Sequence, residues 1–393
     1  MWAVRGGGTG DDYLHGVAVD AAGAVVAAGY SYDFPVTFGG VVLISTDTIY
    51  DAILWKVSAE GTTLWAVRGG GGYGDTVKGV AVDGAGAVVA AGSFASSPAT
   101  FGGVVLTRYF GDDALLWKLS AEGTTLWAVR GGGSNHDFLN GLAVDGAGAV
   151  VAAGSFQSVT ATFGGVALTS AGTNDAIMWK VDDEGTTPWA VRGGGTGDDY
   201  MYGVAVDGAD DVVAVGCFES SSATFGGVAL TNAGGDGDAI LWKMNAEGTT
   251  LWAVRGGGTG NHMLRGVAVD GTGGVVAVGY FSSSPATFGG VVLANAAGDD
   301  ALLWKVSAEG TTLWGVRGGG GNHDYLNGVA VDGAGAVVAA GNFQSVMATF
   351  GGVALSGDGG DPVVWKVSGL LRRLLHLFHH NRFDSQKPFP HLF

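Results

Sequence analysis

Apolar and small residues run along this chain in short alternating stretches, and the same four stretches return every 61 to 63 residues. The third copy shows them in order: GLAVD at 141–145, AVVAAGSF at 149–156, DAIMWKV at 175–181 and TTPWAVR at 186–192. Each is rich in Val, Ile, Trp or Phe and is bounded by Gly and Asp. No segment sustains a 3.6-residue period, so the pattern predicts four β-strands per copy, here called A to D. The C–D turn Ser-Ala-Glu-Gly-Thr (58–62) puts Gly61 where a three-residue hairpin loop needs a left-handed residue. That loop predicts Trp55 facing Trp65 and Ile53 facing Val67.

Counting strands predicts the architecture. A strands begin at Gly16, Gly79, Gly141, Gly203, Gly266 and Gly328, and there are six C strands, the last within DPVVWKVS at 361–368. Only five D strands follow a C strand, because the sixth C strand runs into GLLRRLL. The absent D strand is MWAVRGGG at the N-terminus. The expected fold is all-β: a closed six-bladed β-propeller of four antiparallel strands per blade. Residues 2–8 then supply the outer strand of the blade containing 328–368, and closure removes exposed sheet edges. One domain of 1–368 and an atypical tail of 369–393 follow.

The phrases GVAVDGAGAVVAAGSF, ATFGGVALTSAGTNDA and WKVDDEGTTPWAVRGGG, in their variants, fill residues 2–368. They resemble the SBBP β-propeller repeat family of large bacterial surface and secreted proteins. The resemblance implies a binding role at a surface or outside the cell, and it brings no catalytic motif.

Composition narrows the classes. Seventy-five Gly without a G-X-Y period exclude collagen, and a 47% hydrophobic content argues against disorder. No apolar run approaches the roughly 20 residues that cross a bilayer, and no basic-then-apolar secretory signal is visible. The single Cys217 rules out an internal disulfide framework. A net charge of −17 repels phosphate backbones, which argues against nucleic-acid binding. In the tail, a Leu-Leu-x-x-Leu-Leu pattern with Arg372 and Arg373 suits a short amphipathic helix for a membrane surface or partner. Translated non-coding sequence explains that stretch equally well.

Candidate chemistry sits in the D–A loops, which share one face with the roughly twenty-residue B–C connections. They carry Asp11, Asp12, Asp75, Asp137, Asp198, Asp199 and Asp324, with His15, His136, His262 and His323 and the rings of Tyr13, Tyr73, Phe138, Tyr200 and Tyr325. Carboxylates beside aromatics suit a sugar or a basic peptide, and clustered carboxylates suit calcium, which has only weak support here. The same residues suit turn caps and packing between blades. The histidines lack zinc spacing, and no G-x-S-x-G, H-E-x-x-H or P-loop occurs. The Gly-Gly-Gly runs are expected to be flexible turns between blades. The Lys after each C-strand Trp, the Arg ending each D strand and the Asp opening each C strand recur once per copy. That regularity predicts ion pairs joining strands or blades. These features point to a non-catalytic scaffold that binds a protein or glycan on the D–A and B–C face. A glycan lyase or hydrolase at the channel mouth, or a structural slice of a larger surface array, are the competing classes.

Overall fold

The computed structural model describes residues 1–32, 34–45 and 49–368, so the expectations for the tail lie outside the described residues. Among the described residues every regular element is a strand. In the second copy the strands are Asp75–Val82 (A), Val88–Phe94 (B), Asp113–Leu119 (C) and Thr125–Gly132 (D), paired antiparallel in that order. Every residue of B and C is buried, because neighbouring sheets cover both faces. One core cluster holds Leu54 and Trp65 of the first copy together with Val88, Phe94, Leu115 and Trp117 of the second. The apolar core thus lies between sheets, and no sheet is stable alone.

The B–C connection, expected as open loop, contains a hairpin. In the third copy its strands are Thr160–Phe163 and Val166–Thr169, joined at Gly164 (φ 53°) and Gly165 (φ 94°). Two successive left-handed residues make the two-residue turn that matches strand twist. This hairpin pairs with the D strand of the preceding copy. Each full sheet therefore has six strands, A-B-C-D from one copy and two from the next. There are five such sheets among the described residues and two of three strands.

Phe163 of this hairpin stands opposite Gly131 in the preceding D strand. A Cβ on Gly131 would lie 2.0 Å from the Phe163 ring, so only Gly lets the ring lie there. The ring then meets the edge of Trp179 at 5.4 Å. The first glycines of the Gly-Gly-Gly run are thus strand residues under an aromatic ring, not the flexible turns expected.

The C–D hairpin also corrects an expectation. Trp55 faces Ala66 and Trp65 faces Lys56, while Val57 faces Thr63, so Leu64 is an extra, bulged residue, 52% exposed. The bulge shifts the register by one and puts the two indoles on opposite faces. Trp55 donates to Thr63 Oγ1 within its own hairpin at 2.9 Å. Trp65 instead donates to Ala121 O, in the C–D turn of the next copy, also at 2.9 Å. It is a tie between sheets, repeated by Trp127, Trp189 and Trp252.

The recurrent charges pair. Arg68 bonds Asp51 at 2.5 Å across the C–D hairpin, and Lys56 meets Asp20 of the A–B turn at 3.0 Å. Lys118, almost fully buried, bonds Asp83 and also Asp183 of the next copy. At the centre, the A strands of all six copies line one channel of about 420 Å³. The sheets therefore radiate as in a β-propeller.

In the third copy the bulge position is Pro188, whose missing N–H costs little where the ladder is already interrupted. Leu126→Pro, at the equivalent place, is expected to change stability by no more than about 1 kcal/mol. Ala128→Pro, two residues on and paired with Trp117, should cost about 3 kcal/mol or more. Thermal and urea unfolding of the two variants measures the contrast; equal losses would contradict the bulge assignment.

Candidate functional site at the channel mouth

Each A strand begins at the mouth with a β-bulge. In the first copy Leu14 faces Gly29 and Gly16 faces Ala28, leaving His15 without a partner position. The shift recurs in all six copies. Gly follows the bulge because inner strands crowd together: a Cβ on Gly141 would lie 2.8 Å from Tyr202 O of the next copy. Bulges re-aim side chains, and the six displaced residues are His15, Lys78, Asn140, Tyr202, Arg265 and Asn327. Asn327 itself lines the channel together with the glycines that follow the bulges.

Neighbouring copies support these side chains. Asn140 Nδ2 donates to Met201 O at 3.0 Å, and Arg265 Nη1 donates to Asn327 Oδ1 at 2.8 Å. The Arg265 guanidinium lies 5.2 Å from the Tyr280 ring and 5.3 Å from the Tyr325 ring. Lys78 Nζ lies 5.8 Å from the Phe138 ring. The surrounding protein lowers the Lys78 pKa by desolvation, although the residue as a whole is exposed. Burial pushes the Tyr202 hydroxyl well up, with Cys217 beside it.

The residues expected from the sequence divide into two sets. Asp12, Asp75, Asp137, Asp199, Asp324 and His262 each open an A strand, one per sheet. Asp75 is buried and accepts from Gly71 N at 2.9 Å, Ala95 N at 3.0 Å, Ser96 N at 3.1 Å and Ser96 Oγ at 2.5 Å. Asp137 and Asp324 sit in the same cage. Asp199 accepts from Gly195 N and Ser220, and Asp12 accepts from Gly8 N. His262 replaces the carboxylate in the fifth copy, with Nε2 2.6 Å from Ser283 Oγ and Nδ1 2.9 Å from Gly237 O. These side chains tie the D–A loop to the end of strand B, and the structure does not bring them together.

The second set lies further out. His136 Nδ1 is 3.1 Å from Asp112, and His323 Nδ1 is 2.7 Å from Asp299, which also accepts from Tyr325 OH at 2.9 Å. Asp198 accepts from Asn174 Nδ2 at 2.8 Å, and Asn174 also reaches Tyr200 OH at 3.0 Å. Asp112, Asn174 and Asp299, just before their C strands, were not among the sequence candidates. Asp11 and Tyr13 line a cavity of about 320 Å³ with Tyr30 and Tyr32. Tyr30 is 5.2 Å from Tyr13 and 4.8 Å from Tyr50, ring centre to ring centre. Among the described residues no three His, Cys, Asp or Glu side chains converge as metal ligands.

The bulge ring was the feature missed, and its signal was present in the sequence. The residue before the inner-strand Gly reads His, Lys, Asn, Tyr, Arg, Asn through the six copies, on a backbone otherwise repeated closely.

No protein-family model matches the sequence, and no curated protein matches it. Solved structures similar to it include Sqt1 from Chaetomium thermophilum, 11% identical, covering 94% of this chain and 91% of that one, with a TM-score of 0.42. Others are the WD40 β-propeller domain of Doa1 (10%, 94% and 97%, 0.34) and a protein of unknown function from Bacteroides caccae (9%, 77% and 81%, 0.37). At these scores nothing about function passes from them to this chain.

The caged carboxylates make stability depend on pH. Burial pushes Asp75 up to about 6 against the pull of Ser96 and Gly71, and it raises Asp137 and Asp199. Between about pH 4 and 6 the folded chain holds protons that the unfolded chain has released, so their contribution falls as pH rises through that window. Lys56 holds Asp20 below its usual value, and that contribution disappears only in stronger acid. Burial lowers the pKa of His262, which works the other way and adds stability as pH rises, but the raised carboxylates outnumber it. The expected maximum therefore lies near pH 4–5, with a loss on the order of 1 kcal/mol from pH 5 to 7. A melting temperature that rises from pH 5 to 7 would overturn this.

Proposed function

We propose that the chain is a closed six-bladed propeller of SBBP-type repeats, a non-catalytic module that binds a glycan at the channel mouth. The carrying observation is the bulge ring. Five residue types share one backbone position in six copies around one opening, while the charges that recur once per copy bond within or between sheets. Repetition marks the scaffold, and variation at a fixed place marks what is free to contact a ligand. Six pseudo-equivalent positions, one per copy, favour a binder over a single catalytic constellation.

The chemistry at the mouth favours a glycan over a broad protein face. Rings stand in pairs, Tyr200 stacked with Tyr202 and Tyr325 edge-on to the buried Tyr280, and the amides of Asn140 and Asn327 hold two of the bulge positions. Rings take the C–H faces of a sugar, and amides and hydroxyls take its hydroxyls. A concave opening of a few hundred Å³ suits a chain-like ligand.

Closure is supported by complementary ends. One three-stranded sheet holds Gly6–Gly7, Val36–Phe38 and Val41–Leu43, the outer half of a full sheet. The other holds Asp324–Val331, Val337–Phe343 and Asp361–Val367, the inner half. Trp2 already donates to Ala59 O at 2.8 Å, as Trp65, Trp127, Trp189 and Trp252 donate to the C–D turn of the next copy. Leu14 is 51% exposed and Val364 73% exposed, whereas the five counterparts of each are fully buried. Pairing residues 2–8 with 361–367 would cover both and bring Arg5 to Asp361, as Arg68 comes to Asp51. Pro362 removes one backbone donor from that seam, a cost of about 1 kcal/mol. Burying the two apolar side chains yields roughly 1.5–3 kcal/mol each.

Two experiments test the proposal. By the register of Leu54 and Val67, a closed ring puts positions 4 and 364 opposite each other. Mild oxidation of V4C/V364C is expected to give an intramolecular disulfide in the monomer; a disulfide between chains, or none, would overturn closure. A glycan array and a protein-binding screen on the full chain, with and without calcium, test the ligand. Selective glycan retention is expected, and retention of a protein with no glycan would overturn that reading.

A further inference from the structure

We infer that the glycan carries anionic groups, carboxylate or sulfate, held at opposite sides of the mouth by Lys78 and Arg265. This rests on the glycan reading and adds the charge of the ligand.

The argument starts from how the other cations are used. The C-strand lysines, from Lys56 to Lys366, each meet an Asp of the A–B turn. The D-strand arginines from Arg68 to Arg317 each meet the Asp that opens the C strand. Arg5 holds the same place in the D-strand series and would meet Asp361 in the closed ring proposed above. Arg108 lies on the same face but outside the bulge ring, donating to Ala95 O and facing the Tyr73 ring. Lys78 and Arg265 remain, and among the described residues neither has a carboxylate within ion-pair distance. The net charge of −17 repels polyanions over most of the surface, so two cations without a carboxylate partner at the same bulge position make the mouth a local exception.

Their surroundings hold them ready for an anion. Arg265 is placed by two tyrosine rings and by Asn327, contacts that leave part of its planar N–H fork unused. That fork matches carboxylate and sulfate oxygens. Lys78 rests near Phe138, and the carboxylate that acts on it electrostatically, Asp112, is itself in contact with His136. An ammonium already partly stripped of water binds an anion more strongly than one in bulk solvent. The two cations belong to the second and fifth copies, three apart, so in a six-fold ring they face each other across the axis. An extended acidic chain crossing the mouth would meet one at each side, with Asn140, Tyr202 and Asn327 between them.

Calorimetry on the full chain at neutral pH tests this with three six-sugar probes: a hexagalacturonate (carboxylate), a κ-carrageenan hexasaccharide (sulfate) and neutral cellohexaose. At least one anionic probe is expected to bind about tenfold or more tighter than the neutral one, and the probe that does identifies the group. Lys78→Gln and Arg265→Gln should each lose about tenfold for that probe, the ~1.4 kcal/mol of one charge-assisted contact. Lys78→Gln should alter the melting temperature little, Arg265→Gln should lower it modestly through the lost Asn327 bond and ring contacts while the chain stays folded, and Lys78→Arg should retain binding. Equal binding of neutral and anionic probes, unchanged in the variants, overturns the anionic inference and leaves the glycan reading standing. Failure of every glycan, here and on the array, overturns both.

Discussion

The fold depends on an aromatic ring lying against a glycine. Opposite the first Gly of each Gly-Gly-Gly run stands a Phe from the following copy, and a Cβ there would approach the ring to between 2.0 and 2.3 Å. The contact recurs six times, from Gly6 with Phe38 to Gly318 with Phe350. It fixes where the B–C hairpin can dock, and so makes every sheet a joint product of two copies. The D-strand Trp adds a directional bond from one sheet to the turn of the next. Phe and Trp together set the spacing of the sheets, and the buried B and C strands then fill the space between them.

A repeat built this way cannot end cleanly. Each copy lends a hairpin backwards and needs a D strand at its own outer edge, so the first and last copies are left with unmet surfaces. The N-terminal segment serves the first copy's hairpin while its other edge stays unpaired, and the last C strand has an unpaired edge as well. Leu14 and Val364 mark this seam because both are exposed where every counterpart is buried. Open edges of this kind carry unpaired backbone donors and acceptors, which is the physical ground for the closure proposed above.

Much of this was legible in the sequence, and the parts that were not have definite causes. Four strands per copy followed from short apolar runs and Gly-Asp turns, because those patterns depend on local chemistry. The pairing of recurrent Lys, Arg and Asp followed from their regularity. The docking hairpin was missed although its Gly-Gly turn was visible, because three-residue strands such as Val36–Phe38 are too short to show alternation. The Trp–Trp register failed on a single bulged Leu, a one-residue event that periodicity cannot resolve. The D–A carboxylates drew attention as ligand candidates, yet Asp75 and its equivalents are buried among backbone donors. An Asp that caps a loop and an Asp that meets a ligand look alike until their hydrogen bonds are seen.

The bulge ring shows where such a scaffold has freedom to vary. A strand residue inside a sheet has its side chain claimed by a neighbour, and its identity is then fixed by packing. A loop residue is free but poorly positioned. The bulge at the start of strand A escapes both limits: its backbone is locked by the pairs at Leu14 and Gly16, while its side chain has no partner position across the ladder. The following Gly lets the inner strands close up, which brings six such positions to one opening. Six copies can therefore differ at this place with little penalty to the fold, and in this chain they carry five residue types. Lys78 and Arg265 occupy two of these positions, Lys78 near the Phe138 ring and Arg265 near the Tyr280 and Tyr325 rings. The scaffold holds both side chains by rings and amides and pairs neither with a carboxylate, and that is the ground for proposing an anionic ligand.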